Sequence, residues 1–259
     1  TYSEPFTIGI EGITMISYRS VDNVGIIEEV KHQEVKIDKT PPTTDLKLDG
    51  ITGGEGWYVS NVIVTLATSD KEGGSGVEEM SYSFDGTSWS QYSGSFSIET
   101  EGANTLYFNS IDVAGNKEDV KYVGISIDKT PPVIGIDCVP ILTKEDVTPV
   151  IKVTDNLDKD PTESLTLDGN PYVMDSTITA EGEHKLVVEA IDDAGNVATE
   201  YVTFTIDKTP PEARISFDTN AMEIVVLGVD NLDPQVGVEI LSDSVTGHWS
   251  NGGTGWERR

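Results

Sequence analysis

Carboxylates are the residues of this chain best placed to do chemistry. Its 259 residues include 45 Asp and Glu against 17 Lys and Arg, a net charge of −28. The acids recur in a pattern. Asp38 is followed by Asp70 and Glu72, then by Asp112 and Asn116. Asp128 is followed by Asp155, Asp158 and Asp160, then by Asp192, Asp193 and Asn196. Asp207 is followed by Asp230 and Asp233. Oxygen-rich sets of this kind suit calcium, which accepts about six to eight oxygens in a forgiving geometry. The spacing Asp155–Asp158–Asp160 is not that of an EF-hand loop, because the Gly and the closing Glu are misplaced. The competing use of Asp and Asn is to shape turns. The metal candidates are therefore Asp38, Asp70, Asp112, Asp128, Asp155, Asp158, Asp160, Asp192 and Asp207, with calcium as the expected ion.

Other chemistries find less support. A single cysteine, Cys138, cannot form an intrachain disulfide, and its strand-like surroundings, 133–139, mark it as a small core residue. His32, His184 and His248 sit in unrelated contexts. No nucleophile-elbow, zincin or phosphate-loop motif occurs, and Gly73-Gly74-Ser75-Gly76 does not precede a helix. With so many carboxylates, chance pairs are expected, so acid/base glycosidase chemistry is not indicated. Trp57, Tyr58, Trp89, Tyr92 and Tyr107 could stack on sugar rings, but most such residues in a small sandwich fill cores and hairpins. The acidic balance argues against nucleic acid, whose phosphates need Lys and Arg. No apolar run of about 18 residues exists to span a bilayer.

The elements that position these acids repeat. Ile-Asp-Lys-Thr-Pro-Pro occurs at 37–42, 127–132 and 206–211. A second block precedes each copy, starting at Glu11, Glu101 and Glu181. Within the blocks Ile16, Leu106 and Leu186 correspond, as do Tyr18, Phe108 and Val188, then Ser20, Ser110 and Ala190. Ser17, Tyr107 and Val187 alternate with them, then Arg19, Asn109 and Glu189. This two-residue period predicts a half-buried strand whose second set, Asn109 and Glu189 included, faces outward. Ala-Gly-Asn follows in two copies and supplies the positive-φ residues of a tight hairpin, after which 120–127 and 199–206 read as strands. The prolines end pairing and stiffen an extended linker. Upstream, 62–68, 77–84, 148–153 and 165–167 read as strands separated by Gly- and Asp-rich turns. No amphipathic helix is evident. The fold class is all-β: tandem immunoglobulin-like antiparallel β-sandwiches.

Four segments result: 1–42, carrying the last three strands of a repeat; complete repeats at 43–132 and 133–211; and 212–259, carrying roughly the first three strands of another. The chain thus reads as cut from a longer array. In such a sandwich the linker, the loop between the second and third strands, and the final hairpin share one pole, which is where the acids recur.

These motifs resemble the bacterial immunoglobulin-like repeats found in tandem in surface adhesins and in accessory regions of secreted glycosidases. The resemblance rests on the Asp-x-Ala-Gly-Asn hairpin, the Ile-Asp-Lys-Thr-Pro-Pro boundary and the features of 54–132. Ile26 departs from it, standing where the other copies have Asn116 and Asn196. The resemblance implies a non-catalytic, extracellular stalk or spacer with an adhesive role. The alternative it admits is an accessory region of a secreted glycoside hydrolase that presents or binds polysaccharide. Expected partners are neighbouring repeats and a host or cell-wall glycan or protein, with no nucleic acid and no membrane insertion by this segment.

Overall fold

The computed structural model describes residues 2–218, 223–232, 236, 238, 249–251 and 256–258. Asp233, His248 and most of 246–255 lie outside the described residues. Contacts divide the chain into two compact units. One comprises Thr1–Ile134, Val153–Glu163 and Glu189–Thr199; the other comprises Gly135–Lys152, Ser164–Val188 and Glu200–Arg259.

In the first unit, β1 (Gly12–Tyr18) pairs antiparallel with β2 (Lys31–Ile37). A complete sandwich follows. β3 (Thr43–Asp49), β4 (Val62–Ser69), β5 (Val77–Ser83), β6 (Ser90–Gln91), β7 (Phe96–Ile98), β8 (Gly102–Asp112) and β9 (Lys121–Ile127) form two sheets, ordered β3-β4-β7 and β6-β5-β8-β9. This is the division of strands in an immunoglobulin-type sandwich. Between β3 and β4 the chain crosses to the second sheet, where Tyr58 bridges Ile127 in parallel.

Alternation dictates the core. Val62, Val64 and Leu66 of β4 point inward, and Leu106 and Phe108 of β8 meet them, closed by Ile98, Ile125 and Ile127. Tyr82 of β5 lies opposite Phe108 and stacks on Phe96 at 4.4 Å between ring centroids. Further along β8 the inward positions become polar. Glu118 accepts the Thr44 amide (2.9 Å) and the Ser110 hydroxyl (3.2 Å), while Lys121 pairs with Glu118 (2.7 Å) and donates to the Thr44 carbonyl (2.7 Å). This clasp fastens β3 to the opposite sheet.

The later strands repeat the plan. β10 (Val133–Asp137), β11 (Leu142–Thr143), β12 (Val150–Thr154), β13 (Thr162–Leu167), β14 (Asn170–Pro171), β15 (Gly182–Ile191) and β16 (Val197–Ile206) include a β10-β12 pair and a sheet ordered β11-β16-β15-β13-β14. Leu186, Val188, Ala190, Phe204 and Ile206 are buried. β17 (Glu212–Asp218) pairs with β18 (Glu223–Val229), and β19 (Trp249–Asn251) with β20 (Trp256–Arg258).

Three expectations need correction. Asn109 is 4% exposed rather than facing water, although Glu189 is exposed as expected. It occupies the outer row of β8 opposite Ser81, and its Nδ2 is buried without a partner. Cys138 is not a core residue. β10 ends at Asp137, and Cys138 is exposed at a turn with φ of 62°. Among the described residues of 1–42 there are two strands, β1 and β2, rather than three.

Phe108 is 5% exposed and stands at the centre of the first core. Phe108→Ala should cost about 3–5 kcal/mol in urea denaturation, the range for an aromatic removed from a core that cannot collapse.

Candidate metal centres

The final hairpin of each repeat is built by one aspartate. Asp22, Asp112 and Asp192 each accept through Oδ1 the amide of the residue four positions on, Ile26, Asn116 and Asn196, at 2.7–2.8 Å. The glycine between them, Gly25, Gly115 or Gly195, takes φ near +90°, which an L side chain rarely adopts. Ile26 therefore preserves the turn. What it lacks is the side-chain amide: Asn116 Nδ2 donates to Asp112 Oδ2 (2.8 Å) and to the Asp38 carbonyl (3.2 Å), and Asn196 does the same to Asp192 (2.9 Å) and Asp128 (3.2 Å). The asparagine thus pins the linker to the hairpin.

A residue the sequence reading did not single out does the rest. Glu101 accepts the Lys129 amide (2.9 Å) and the Thr130 hydroxyl (3.0 Å), and Glu11 holds Lys39 and Thr40 in the same way. Glu181 takes the Thr209 hydroxyl at 2.6 Å. Each glutamate also receives the residue following the loop aspartate: Lys71 to Glu11, Asn156 to Glu101, Asn231 to Glu181. The signal is the recurrence of Glu-Gly 26 or 27 residues ahead of Asp-Lys-Thr in all three copies.

These bonds bring carboxylates together. Asp38, Asp70 and Asp112 place one oxygen each within 4.8 Å of the others, and so do Asp128, Asp155 and Asp192. Ligands about 2.4 Å from a shared calcium can be no farther apart than roughly twice that distance, so both sets meet the limit. Asp158 and Asp160 are not in the second triad. Asp158 accepts the amides of Asp160 (2.9 Å) and Asp193 (3.1 Å) and shapes the loop. Asp207 forms no such triad among the described residues, but burial and the neighbouring Asp230 and Glu181 raise its pKa.

The two triads differ electrostatically. Asp38 Oδ1 takes the Thr40 amide (3.2 Å) and Oδ2 the Ser75 amide (2.6 Å), and Gly76 donates to Asp70 (2.7 Å). The donors on Ser75 chiefly hold Asp38 down at a pKa of about 2. The loop 155–160 brings no such donor to Asp128. Its Oδ1 takes the Thr130 amide (3.1 Å), and among the described residues no donor reaches Oδ2. Asp155 uses Oδ1 for the amides of Leu157 and Asp158, leaving Oδ2 buried and unpartnered. Asp128 is 2% exposed, and burial raises its pKa, reinforced by Asp192, Asp155 and Glu101 against the Thr130 amide. Among the described residues no Lys or Arg pairs with these three acids.

The hairpin of the second triad also meets backbone from the preceding sandwich. Gly54 donates to the Ala194 carbonyl at 2.7 Å. A Cβ on Gly53 would lie 2.1 Å from that oxygen, and one on Gly54 would lie 2.5 Å from the Asp193 carbonyl oxygen. Only glycine permits this approach.

The other candidate chemistries resolve structurally. Tyr58 and Tyr92 pack on the first core, while Tyr107 leans on Tyr122 outside it and Trp89 lies under Lys117, so these four do not form one stacking platform. His184 lines a cleft of about 460 Å³ with Asp168, Phe204 and Thr205. Its Nδ1 meets Asp168 Oδ2 (2.8 Å) and its Nε2 the Ala180 carbonyl (2.9 Å). Both partners accept, so both nitrogens carry protons and none is free to act as a base. Burial opposes this charge, but Asp168 and the Ala180 carbonyl outweigh it and raise the His184 pKa. Burial likewise opposes ionisation of Asp168, and His184 with the Lys185 amide lowers its pKa.

Residues 90–178 match the family described as bacterial Ig-like domain (group 3). The matched stretch runs from β6 across Asp128 and Asp155. A search of curated proteins found no match. Among solved structures, the fibronectin(III)-like modules of Clostridium thermocellum CbhA are 16% identical, covering 63% of this chain and 94% of that chain at a TM-score of 0.31. The D00-D0 domain of intimin is 14% identical, covering 62% and 100% at 0.32. A tetra-tandem repeat from the extending region of a large adhesion protein is 15% identical, covering 85% and 70% at 0.33.

Two outcomes are expected. Gly53→Ala should expose the 192–196 hairpin to hydrogen exchange while leaving the β8–β9 amides protected. The His184–Asp168 pair should contribute fully to stability between about pH 4 and 6.5. The histidine's share should fade as pH rises through its raised folded pKa, and the aspartate's share as pH falls through its lowered one. Asp168→Asn should flatten the decline in urea stability above about pH 6.5.

Proposed function

We propose that this chain is a non-catalytic spacer of tandem immunoglobulin-like repeats, displayed outside a bacterial cell, whose linkers are stiffened by calcium. The observation that carries the reading is the Asp128–Asp155–Asp192 triad. Three carboxylates converge, the linker acid is almost wholly buried, and no cationic side chain of the described residues balances them. Asp128, Asp155 and Asp192 would hold the ion, whose two charges would offset repulsion and desolvation together. The linker would then be fixed to the loop at 155 and the hairpin at 192–196. The Asp38 triad, already supplied with donors by Ser75 and Gly76, is the weaker binder. The repeat match over 90–178 supports the adhesin-type, surface-exposed setting.

The test is thermal melting in chelator and in millimolar calcium, about the range in which extracellular modules bind. Saturation about 100-fold above Kd should add roughly 2.7 kcal/mol. Asp128→Asn gives a contrast of sign. Without calcium it should melt at or above the wild-type temperature, since one of three repelling charges is gone. With calcium it should show no rise. Identical wild-type melting under both conditions would leave the aspartates as turn formers.

A further inference from the structure

We infer that the arm 51–59, which leaves the first complete sandwich between β3 and β4, is a positioning element for the Asp128–Asp155–Asp192 cation site. The affinity of that site is then set by a backbone contact between consecutive repeats. The inference rests on the calcium reading of the triad.

The arm is closed on itself. Thr52 bridges Tyr58, the Val59 amide donates to the Ile51 carbonyl (2.9 Å), Gly53 donates to Trp57 (2.8 Å) and Trp57 to Gly54 (2.9 Å). Its base is fixed to the linker strand. The Tyr58 amide donates to the Ser126 carbonyl and the Asp128 amide to the Tyr58 carbonyl, both at 2.9 Å, while the Tyr58 ring packs on the first core. Its tip is fixed to the final hairpin of the next repeat, where Gly54 donates to the Ala194 carbonyl (2.7 Å). One short arm therefore holds, at its two ends, the backbone of Asp128 and the hairpin that carries Asp192.

The third acid follows the same hairpin. The Asp193 amide donates to Asp158 (3.1 Å), and Asp158 shares with Leu157 the Oδ1 of Asp155. The Asp193 carbonyl is the group that a Cβ on Gly54 would strike at 2.5 Å. Among the described residues no side chain of the arm bonds to the three carboxylates, so the arm can act only through backbone position. Gathering three like charges is part of the cost of binding a cation, and an arm that holds their backbones in place beforehand lowers that cost. The buried, unpartnered Oδ2 of Asp155 is the oxygen left for the ion.

Coupling of this kind is reciprocal: what the contact does for calcium, calcium does for the contact. The experiment is calorimetric calcium titration of the full 259-residue chain, joined to amide exchange with calcium and with chelator. The heat that Asp128→Asn removes isolates this site from the Asp38 triad. Gly53→Ala should weaken calcium at this site about tenfold, the worth of one backbone hydrogen bond, while the β8–β9 amides stay protected. In the wild-type chain calcium should slow exchange of the Gly54 amide by a similar factor, and in Asp128→Asn it should not. The wild-type exchange decides the matter even where Gly53→Ala does not fold. Calcium binding that leaves Gly54 exchange unchanged, or that Gly53→Ala leaves at wild-type affinity, overturns this inference and leaves the calcium reading standing. A wild-type titration with no heat that Asp128→Asn removes overturns both.

Discussion

A carboxylate withdrawn from water must be given donors or a cation, and the linkers of this protein are organised around that demand. The half-buried Glu11 and Glu101 meet it with donors from the linker itself, and the exposed Glu181 makes the same bond to its linker threonine, which is how Asp-Lys-Thr becomes an anchored segment. Asp38 meets it with the Ser75 amide, delivered by a glycine-rich loop long enough to turn back on the linker. Asp128 faces a loop without that excursion and meets two further carboxylates. One motif thus yields a self-sufficient junction in one place and a charge-deficient one in the next, and the difference lies in a few loop residues.

Most of the fold could be read from period and punctuation. Strand alternation at Leu106–Phe108 and Leu186–Val188 put the right residues inside, because one face of each strand has to bury apolar area. Gly-Asn located the hairpins because few residues accept positive φ. Reading failed where tertiary context overrides the pattern. Asn109 occupies an outward register position yet is enclosed, and nothing in its strand announces that. Cys138 looked like the end of a strand, but the chain turns one residue earlier. Glu118 reads as a surface acid and is instead the buried centre of a clasp, because its partners on β3 are more than 70 residues away.

The candidate site was legible to the level of which loops meet. Asp38, Asp70 and Asp112 converge, as do Asp128, Asp155 and Asp192, because sandwich topology places a linker, an inter-strand loop and a hairpin at one pole. Asp158 and Asp160 could not be separated from Asp155 by sequence, since loop geometry decides which acid turns inward and which caps an amide. Nor could the role of the hairpin asparagine be read from its presence alone. The comparison with Ile26 supplies it: the turn survives the change, and what Ile26 cannot make are the two side-chain bonds, to the hairpin aspartate and to a linker carbonyl.

The second triad is assembled from both sides of a repeat boundary. Glu101 and Asp128 come from one repeat, and Asp155, Asp192 and Asn196 from the next. Yet each repeat also carries the complementary set at its other end. Duplicating or deleting a whole repeat would therefore again set a linker aspartate beside a loop aspartate and a hairpin aspartate at the new boundary. The inter-strand loop, where Asp70–Gly76 and Asp155–Asp160 diverge, is where copies can be told apart without breaking that interchangeability.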